Sequence, residues 1–225
     1  MSSITVPAPL YCRTEDVLEH LPVASTADYR KGEVIYAPES DSNRIYLVVT
    51  GKVGISRIGE DGREVLLEIV PSDEMFGESA FLNIPRRSEH AVAMEVSKVM
   101  SWAVSAMEDL VTTRPRLALA LLQVLAQRNA EFKRRIESLA TDTVELRLAR
   151  SLLGLSERLG SAEEDGSVRM MPLTHEMLSR YIGTTRGLVT RYMNQFRKRG
   201  YVTYSRNCIH LRQDTLRAVV GVASS

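Results

Sequence analysis

The stretch that decides the fold is LTHEMLSRYIGTTRGLVTRYMNQFRKR, residues 173–199. Its apolar residues recur at helical spacing in two short runs, and Gly183 with the two following threonines separates these runs. Two helices joined by a short turn that contains glycine form the helix-turn-helix pattern. In that geometry the second helix lies in the major groove of DNA, with its N-terminal residues at the base edges. The stretch therefore predicts one helix that ends at Gly183 and a second helix that reads DNA.

Threonines and arginines at the helix starts are the candidate DNA contacts. Thr174 and Thr184 are the expected N-caps, because a threonine hydroxyl satisfies a free amide of the first helical turn. Arg186 would fall in the first turn of the second helix, and an arginine fork can bind guanine O6 and N7 together. Hydroxyls and free amides suit phosphates. The candidate DNA-binding residues are Thr174, Thr184, Thr185, Arg186, Gly187, Thr190, Arg191 and Arg206.

The charge of the chain is distributed unevenly, although its net value is only +1. Residues 1–168 hold 19 Lys and Arg against 26 Asp and Glu, whereas residues 169–225 hold 10 against 2. The C-terminal part thus carries +8 and the remainder −7, which predicts a nucleic-acid partner for the C-terminal part alone. Just beyond the helix pair, YVTYSRNCIHL at 201–211 predicts a β-hairpin that would form a wing beside the groove.

Upstream, short β-rich runs alternate with turn signals between Tyr29 and Ala103. The runs are residues 34–36, 44–49, 52–58, 63–70, 90–94 and 98–104. Runs of this length and spacing predict an antiparallel barrel or sandwich. The strongest hairpin signal is Asp61-Gly62, which is flanked by two strand-like runs.

A long helix is expected to begin at Pro115, since proline is tolerated in a first helical turn. Apolar residues on it, with one asparagine, are spaced alternately four and three residues apart. Ala118 begins this seam, which continues through Leu122, Leu125, Asn129, Phe132, Ile136 and Leu139. The spacing predicts a parallel homodimer whose register Asn129 would fix. The alternative is that the seam packs on the chain's own barrel. However, a second apolar set, Leu117, Leu121 and Val124, lies beside the seam and could make that contact while the seam serves a partner helix.

The pattern divides the chain into three parts and gives an α+β fold class. Residues 1–112 are the predicted antiparallel β-barrel, 113–141 the dimerisation helix and 142–225 the winged helix-turn-helix domain. The last boundary rests on Asp142-Thr-Val-Glu145, which is a capping box that would start a new helix.

This order of parts resembles the Crp/Fnr superfamily of bacterial transcription regulators over roughly residues 10–220. Gly77-Glu78 and Ile182-Gly183-Thr-Thr-Arg186 carry the resemblance. It implies a homodimer on a palindromic DNA site, and a barrel of the cyclic-nucleotide-binding jelly-roll type whose effector state passes through the dimer helix. It also implies contact with RNA polymerase, which relatives touch at the places that Glu60-Asp61 and the acidic residues 163–165 occupy here.

For the effector, Phe76-Gly77-Glu78 and Arg87-Ser88 resemble the phosphate cassette of cyclic-nucleotide readers. The residues that the resemblance assigns to the effector are Gly77, Glu78, Ser79, Arg87, Ser88, Arg128 and Lys133. Two departures count against cyclic AMP. A carboxylate, Glu89, follows the cassette, and the family's hydroxyl pair on the dimer helix falls on Phe132 and Lys133. The stretch 89–93 and the recognition turn look closer to a nitrogen-control branch that senses 2-oxoglutarate, so cyclic AMP, 2-oxoglutarate and control without an effector all stay open.

Gly187 is a further departure from the resemblance. Relatives that read a TGTGA-like half-site have glutamate there, which accepts from a cytosine amino group. Its replacement by glycine predicts a DNA site that keeps its arginine-read guanines and is relaxed at the cytosine.

Other classes of function lack their motifs. There is no phosphate-binding GxxxxGK[ST] or dinucleotide-binding GxGxxG, and the four histidines share no metal-ligand spacing, so neither an enzyme nor a metal site is expected. Cys12 and Cys208 lie far apart, which argues against an iron–sulfur cluster, and His90 alone does not provide a haem site. Neither a secretory signal nor a long apolar span is present, so we expect a cytoplasmic protein without a membrane segment.

Overall fold

A computed structural model describes residues 17–205 and 207–222 of the chain. The strands are β1 Ser25–Tyr29, β2 Val34–Tyr36, β3 Arg44–Thr50, β4 Lys52–Ile58, β5 Glu64–Pro71, β6 Met75–Phe76, β7 His90–Ala93, β8 Ser97–Ala103, β9 Ser161–Ala162, β10 Val168–Met170, β11 Val202–Tyr204 and β12 Ile209–Leu211. The helices are α1 Val104–Thr113, α2 Pro115–Thr141, α3 Val144–Leu159, α4 His175–Ile182, α5 Arg186–Lys198 and α6 Gln213–Val222, with 3₁₀ turns at Val17–His20 and Glu78–Leu82.

The first eight strands form two antiparallel four-stranded sheets, ordered β1-β8-β3-β6 and β2-β7-β4-β5. Both sheets contribute side chains to one core, for example Val48 from β3 and Val53 from β4, each fully buried. All six predicted runs are strands, so the predicted β-rich domain is confirmed. At the β4–β5 hairpin Gly62 has a φ of +76°, as the Asp61-Gly62 signal indicated.

Two strands of the barrel, β1 and β6, were not predicted from the sequence, and both depend on their partners. β1 is exposed over most of its length and polar in composition, yet it pairs with β8 along all five of its residues. β6 is only two residues long and pairs with Tyr46 and Leu47 of β3. Tertiary pairing, rather than local propensity, makes these segments extended.

Helix α2 uses two different faces. Leu117 is fully buried, and Leu121 and Val124 pack with it against the barrel core around Trp102. The predicted seam lies on the solvent side of the chain. The exposed fractions are 63% for Leu122, 40% for Leu125, 39% for Phe132, 66% for Ile136 and 50% for Leu139. The second apolar set therefore makes the barrel contact and leaves the seam uncovered within the described chain.

Helices α3 to α6 and the sheet β11-β12-β10-β9 form the C-terminal part. The predicted wing is confirmed as the β11–β12 hairpin. The expected capping box at Asp142 is wrong, because Asp142 closes α2 and its backbone N–H donates to the Ser138 carbonyl. Thr143 caps α3 instead and accepts a hydrogen bond from the Leu146 amide at 3.3 Å.

The C-terminal part is docked on β5 of the barrel. Leu66 and Ile69 of β5 belong to the same buried cluster as Leu178 and Ile182 of α4. The first helix of the helix-turn-helix thus shares a core with the barrel as well as with α5.

Candidate DNA interface and barrel pocket

The turn between α4 and α5 is closed by backbone hydrogen bonds. Gly183 adopts the left-handed conformation with a φ of +65°, and its N–H and that of Thr184 both donate to the Ser179 carbonyl. Thr174 caps α4 as predicted, since its hydroxyl accepts from the Met177 amide at 3.1 Å. The expectation that Thr184 caps α5 is wrong. Because the Thr184 N–H is used to end α4, the helix starts one residue later and Thr185 is its N-cap.

Helix α5 buries one face and exposes the other. Val189, Met193 and Phe196 are buried against the rest of the domain. Thr185, Arg186, Gly187 and Arg191 are exposed. Within the described chain no hydrogen bond or ion pair engages the guanidinium of Arg186, and that of Arg191 has only a ring contact, 5.7 Å from the centre of Tyr192. Two arginine forks are thus available on the N-terminal half of an exposed helix.

His175 is a residue of this surface that the sequence analysis weighed only as a metal ligand. Its Nδ1 lies 2.9 Å from the Thr190 hydroxyl, which itself donates to the Arg186 carbonyl at 2.9 Å. Its ring meets Tyr204 of the wing edge-on at 5.6 Å. Burial, and then the nearby charge of Arg186, lower the pKa of His175. The imidazole thus ties α4, α5 and the wing together, and its place directly after the N-cap of α4 is the only sequence signal for it.

In the wing, Arg206 lies outside the described residues, as does Cys12 at the N-terminal side. The thiol of Cys208 is free and lies 3.2 Å from Nε2 of His210 on the same hairpin. Some basic side chains near the helix pair form ion pairs within the protein; Arg199, for example, lies 3.3 Å from Glu145.

In the barrel, Arg87 lies at the centre of the predicted cassette. Its side chain is 2% exposed and donates from Nη1 to the Gly77 carbonyl at 2.9 Å and to the Ser79 hydroxyl at 3.0 Å. Nη2 donates to the Arg44 carbonyl, and the guanidinium stands 4.5 Å from the centre of the Tyr36 ring. The Nε–H of Arg87 has no hydrogen-bond partner within the described chain.

Only glycine fits position 77 in this arrangement. Its φ is +80°, and a Cβ there would come within 3.0 Å of the Tyr46 ring and 3.3 Å of Arg87. The Gly-led turn therefore lets the backbone approach the arginine closely. The structure brings Gly77, Ser79 and Arg87 together as the sequence predicted, whereas the side chain of Ser88 is exposed.

Glu89 points towards this cluster. Its Oε1 accepts hydrogen bonds from the Ser79 hydroxyl at 3.2 Å and from the Tyr36 hydroxyl at 3.3 Å. Tyr36 is buried, and burial, followed by the charge of Glu89, raises the pKa of its phenol.

The two other charged effector candidates near the cassette are paired with each other. Arg128 of α2 donates to Glu78 at 2.9 Å and to the carbonyl of Met75, and its Nε lies 3.2 Å from Glu68. Lys133 is exposed, and five residues after Arg128 it lies about 140° around the helix. In this structure, then, Lys133 does not share the barrel-facing side of α2 with Arg128.

Arg158 of α3 extends this pairing into the C-terminal part. Its guanidinium contacts Glu68 at 3.1 Å, Glu74 at 2.7 Å and Glu131 at 3.4 Å. We call these residues the charge cluster. Its members are Glu68, Glu74, Glu78, Arg128, Glu131 and Arg158. Burial raises the pKa of Glu68, although the charges of Arg128 and Arg158 lower it.

Aromatic side chains fill the barrel interior beside the cassette. The rings of Tyr36, Tyr46 and Phe76 lie with their centres 5.1 to 6.1 Å apart. The void between Phe76 and Arg128 has a volume of only about 20 Å³. A site for a drug-sized ligand has roughly 300 Å³ or more, so this void, which Arg87 does not line, is too small to hold an effector as it stands. A larger cleft, about 370 Å³, lies between α2 and α3 and is lined by Arg134, Ser138 and Arg150 among others.

No group of three or more His, Cys, Asp or Glu within 17–205 and 207–222 is placed to hold a metal ion. None of the helices in the described part of the chain is both long and apolar enough to span a membrane.

Comparisons with known proteins agree with both halves of this architecture. The family model of the cyclic nucleotide-binding domain matches residues 26–114, and that of the Crp-like helix-turn-helix domain matches residues 146–219. A CRP-like cAMP-activated global transcriptional regulator of Mycobacterium tuberculosis is 31% identical over 78% of each chain. A global nitrogen regulator of Synechococcus elongatus is 32% identical over 76% of this chain and 78% of its own.

Among solved structures, FixK2 from Bradyrhizobium japonicum superimposes with a TM-score of 0.77 at 25% identity, covering 88% of this chain and 97% of its own. The chain therefore carries a cyclic nucleotide-binding domain followed by a Crp-like helix-turn-helix domain, and it shares its overall fold with FixK2. The chain belongs to the Crp/Fnr family of transcription regulators, which bind DNA through the helix-turn-helix.

Proposed function

We propose that the protein is a homodimer that binds a palindromic DNA site and reads it with α5. The exposed, unpaired guanidinium of Arg186 in the first turn of α5 is the observation that carries this proposal. An arginine there meets base edges when the helix enters the major groove. In this scheme residues 1–112 are the sensor, 113–141 the dimer helix and 142–225 the DNA-binding domain.

The remaining contacts divide by chemistry. Arg186 and Arg191 would each bind a guanine of the half-site, and Gly187 leaves the adjacent cytosine without a carboxylate partner. Phosphates of the DNA backbone would be bound by Thr174, Thr185 and Arg206. The hydroxyls of Thr184 and Thr190 would make further contacts to the same backbone.

The dimer is inferred from the seam of α2. Large apolar side chains such as Leu122 and Ile136 are more than half exposed there, while the opposite face of the helix is already buried on the barrel. A second copy of α2 would cover these residues in a parallel coiled coil, with Asn129 fixing the register.

The experiment that tests DNA reading is selection of a binding site followed by quantitative gel shift. Arg186→Ala should weaken binding by about 1–3 kcal/mol and relax the preference at one base of each half-site. Arg217→Ala is the matched control, because Arg217 of α6 is exposed and paired with Glu157 of α3, outside the helix pair. Equal affinity and equal base preference in Arg186→Ala and wild type would contradict the assignment.

For the sensor, we propose a small anionic effector that binds at Arg87, with cyclic AMP and 2-oxoglutarate as candidates. The unpartnered Nε–H of a buried guanidinium supports this proposal. Of the seven residues predicted for the site, Gly77, Glu78, Ser79, Arg87 and Arg128 would line it, whereas the side chains of Ser88 and Lys133 are exposed. Calorimetric titration with each candidate tests it, and Arg87→Ala should abolish whatever heat of binding is seen.

A second candidate is a regulator that needs no effector or is controlled by another protein. The ring-filled barrel and its void of only about 20 Å³ favour this candidate. If the affinity for DNA is the same with and without each candidate effector, control without an effector is supported.

One further partner and a location complete the proposal. The exposed acids Glu60 and Asp61 and the acidic residues 163–165 are surfaces that RNA polymerase would contact. Because a DNA-binding regulator acts on the genome, we infer a cytoplasmic location.

A further inference from the structure

The feature that prompts this inference is the carboxylate beside Arg87. Ser79 links the two side chains, since its hydroxyl accepts from Arg87 at 3.0 Å and donates to Glu89 at 3.2 Å. Glu89 also receives the hydroxyl hydrogen of Tyr36, whose ring underlies the guanidinium. A buried cation and a carboxylate are therefore separated by one shared hydroxyl.

Arg87 has no closer counter-charge. Its hydrogen bonds go to two backbone carbonyls and to Ser79, and no carboxylate of the described chain lies within ion-pair distance of it. A charge that is 2% exposed is costly to bury without a compensating charge. Glu89 accepts a hydrogen bond from the same Ser79 hydroxyl, so its negative charge compensates the buried charge of Arg87 through that hydroxyl.

We propose that Glu89 is an internal counter-anion of the barrel site and determines which effectors the site accepts. Its carboxylate takes the two hydroxyl hydrogens, from Ser79 and Tyr36, that an incoming anion could otherwise receive. An anion bound to the free Nε–H of Arg87 would also meet the negative charge of Glu89. A phosphodiester or a carboxylate therefore binds this site weakly in its present arrangement, and tight binding requires that Glu89 be displaced from Ser79 and Tyr36.

This inference rests on the proposed effector site at Arg87, but it can fail separately from it. If Arg87 binds an anion that Glu89 does not oppose, the effector proposal stands and this one fails. DNA binding by α5 is independent of both.

The test is titration calorimetry with 3′,5′-cyclic AMP on purified full-length wild type, Glu89→Ala and Glu89→Gln. Glu89→Ala should bind the nucleotide at least tenfold more tightly than wild type, because a like charge close to an anion inside a protein is worth more than one factor of ten. Glu89→Gln keeps the size of the side chain and removes its charge, so it should bind with an affinity between the other two. Arg87→Ala in the Glu89→Ala background should abolish binding, which would place the ligand at this site.

Two results would overturn the proposal. One is an affinity for cyclic AMP that is the same within twofold in wild type and both variants. The other is that neither variant binds the nucleotide while both keep the circular dichroism spectrum and the DNA affinity of wild type. If Glu89→Ala does not fold, Glu89→Gln decides alone, since its shape can be accommodated without repacking. It should bind cyclic AMP more than twofold more tightly than wild type, and an affinity within twofold of wild type would overturn the proposal.

Discussion

Replacing Arg158 with methionine should lower the free energy of unfolding by about 3 kcal/mol, since removal of one partner from a buried ion pair costs about 3–5 kcal/mol. The side chain is only 9% exposed and contacts three carboxylates within 3.4 Å. The lower end of the range applies because Glu68 keeps Arg128, and because Glu74 and Glu131 are 19% and 23% exposed and can gain water. Methionine retains most of the volume of the arginine stem, so the change is chiefly one of charge.

The assay is urea denaturation at neutral pH and fixed protomer concentration, and unfolding is monitored by two spectroscopic signals. Trp102 is the only tryptophan of the chain and is buried in the barrel core, so its fluorescence reports the barrel. Far-ultraviolet circular dichroism reports the helices of the C-terminal part as well. Because Arg158 joins α3 to residues of the barrel and of α2, we expect the two probes to diverge in the variant and to coincide more closely in wild type.

Arg217→Met is the matched control. Arg217 contacts Glu157 at 3.2 Å, but both side chains are at least one-third exposed, and such surface pairs contribute about 0–1 kcal/mol. The argument about buried charge is refuted if Arg158→Met stays within 1 kcal/mol of wild type, or if both variants lose the same amount.

Three other expectations follow from single features of the structure. Leu125→Asp should give monomers by light scattering. Val96→Asp should remain dimeric, because Val96 is 77% exposed and lies on the barrel, away from α2. A Leu125→Asp protein that is still dimeric would contradict the assignment of the seam as the dimer interface. Gly77→Ala should cost about 1–3 kcal/mol in thermal unfolding, more than Gly166→Ala, because both residues have a positive φ but only the first would crowd its neighbours. The pKa of Glu68 is raised by burial, so its favourable contribution is complete at acid pH and is lost as pH rises through that pKa. Glu68→Gln should therefore gain stability relative to wild type on going from acid to neutral pH, and a constant difference would contradict this.

The helix pair could be predicted because its signals are local. The caps, the apolar spacing and Gly183 all lie within 27 residues, and the hydrogen bonds that close the turn join neighbours. The misplacement of the α5 N-cap by one residue shows the limit of such reasoning. Two successive threonines carry the same capping signal, and the choice of Thr185 depends on where the Thr184 amide is used.

The barrel pocket and the charge cluster could be predicted only in part, because their partners are distant in sequence. Glu68 and Arg158 are ninety residues apart and meet because α3 docks on β5. Gly77 and Arg87 were found through a motif, yet the filling of the site by Tyr36 depends on how β2 pairs in its sheet. No periodicity in the sequence of β2 marks Tyr36 as the residue that would underlie an arginine from another segment.

Strand β5 is where the barrel and the helix-turn-helix are physically coupled. Leu66 shares a buried cluster with α4, and Arg180 of α4 pairs with Glu64 at the start of β5. Arg135 of α2 donates both to the Leu67 carbonyl and to the Tyr181 carbonyl at 2.8 Å, so three elements meet at one guanidinium. Since α4 packs directly on α5, a displacement of β5 relative to α2 would pass to the DNA-reading helix through two packed contacts. Helix α4, on which α5 packs, is therefore held on the barrel by side chains of opposite charge and a shared core, and the charge cluster lies at the same junction.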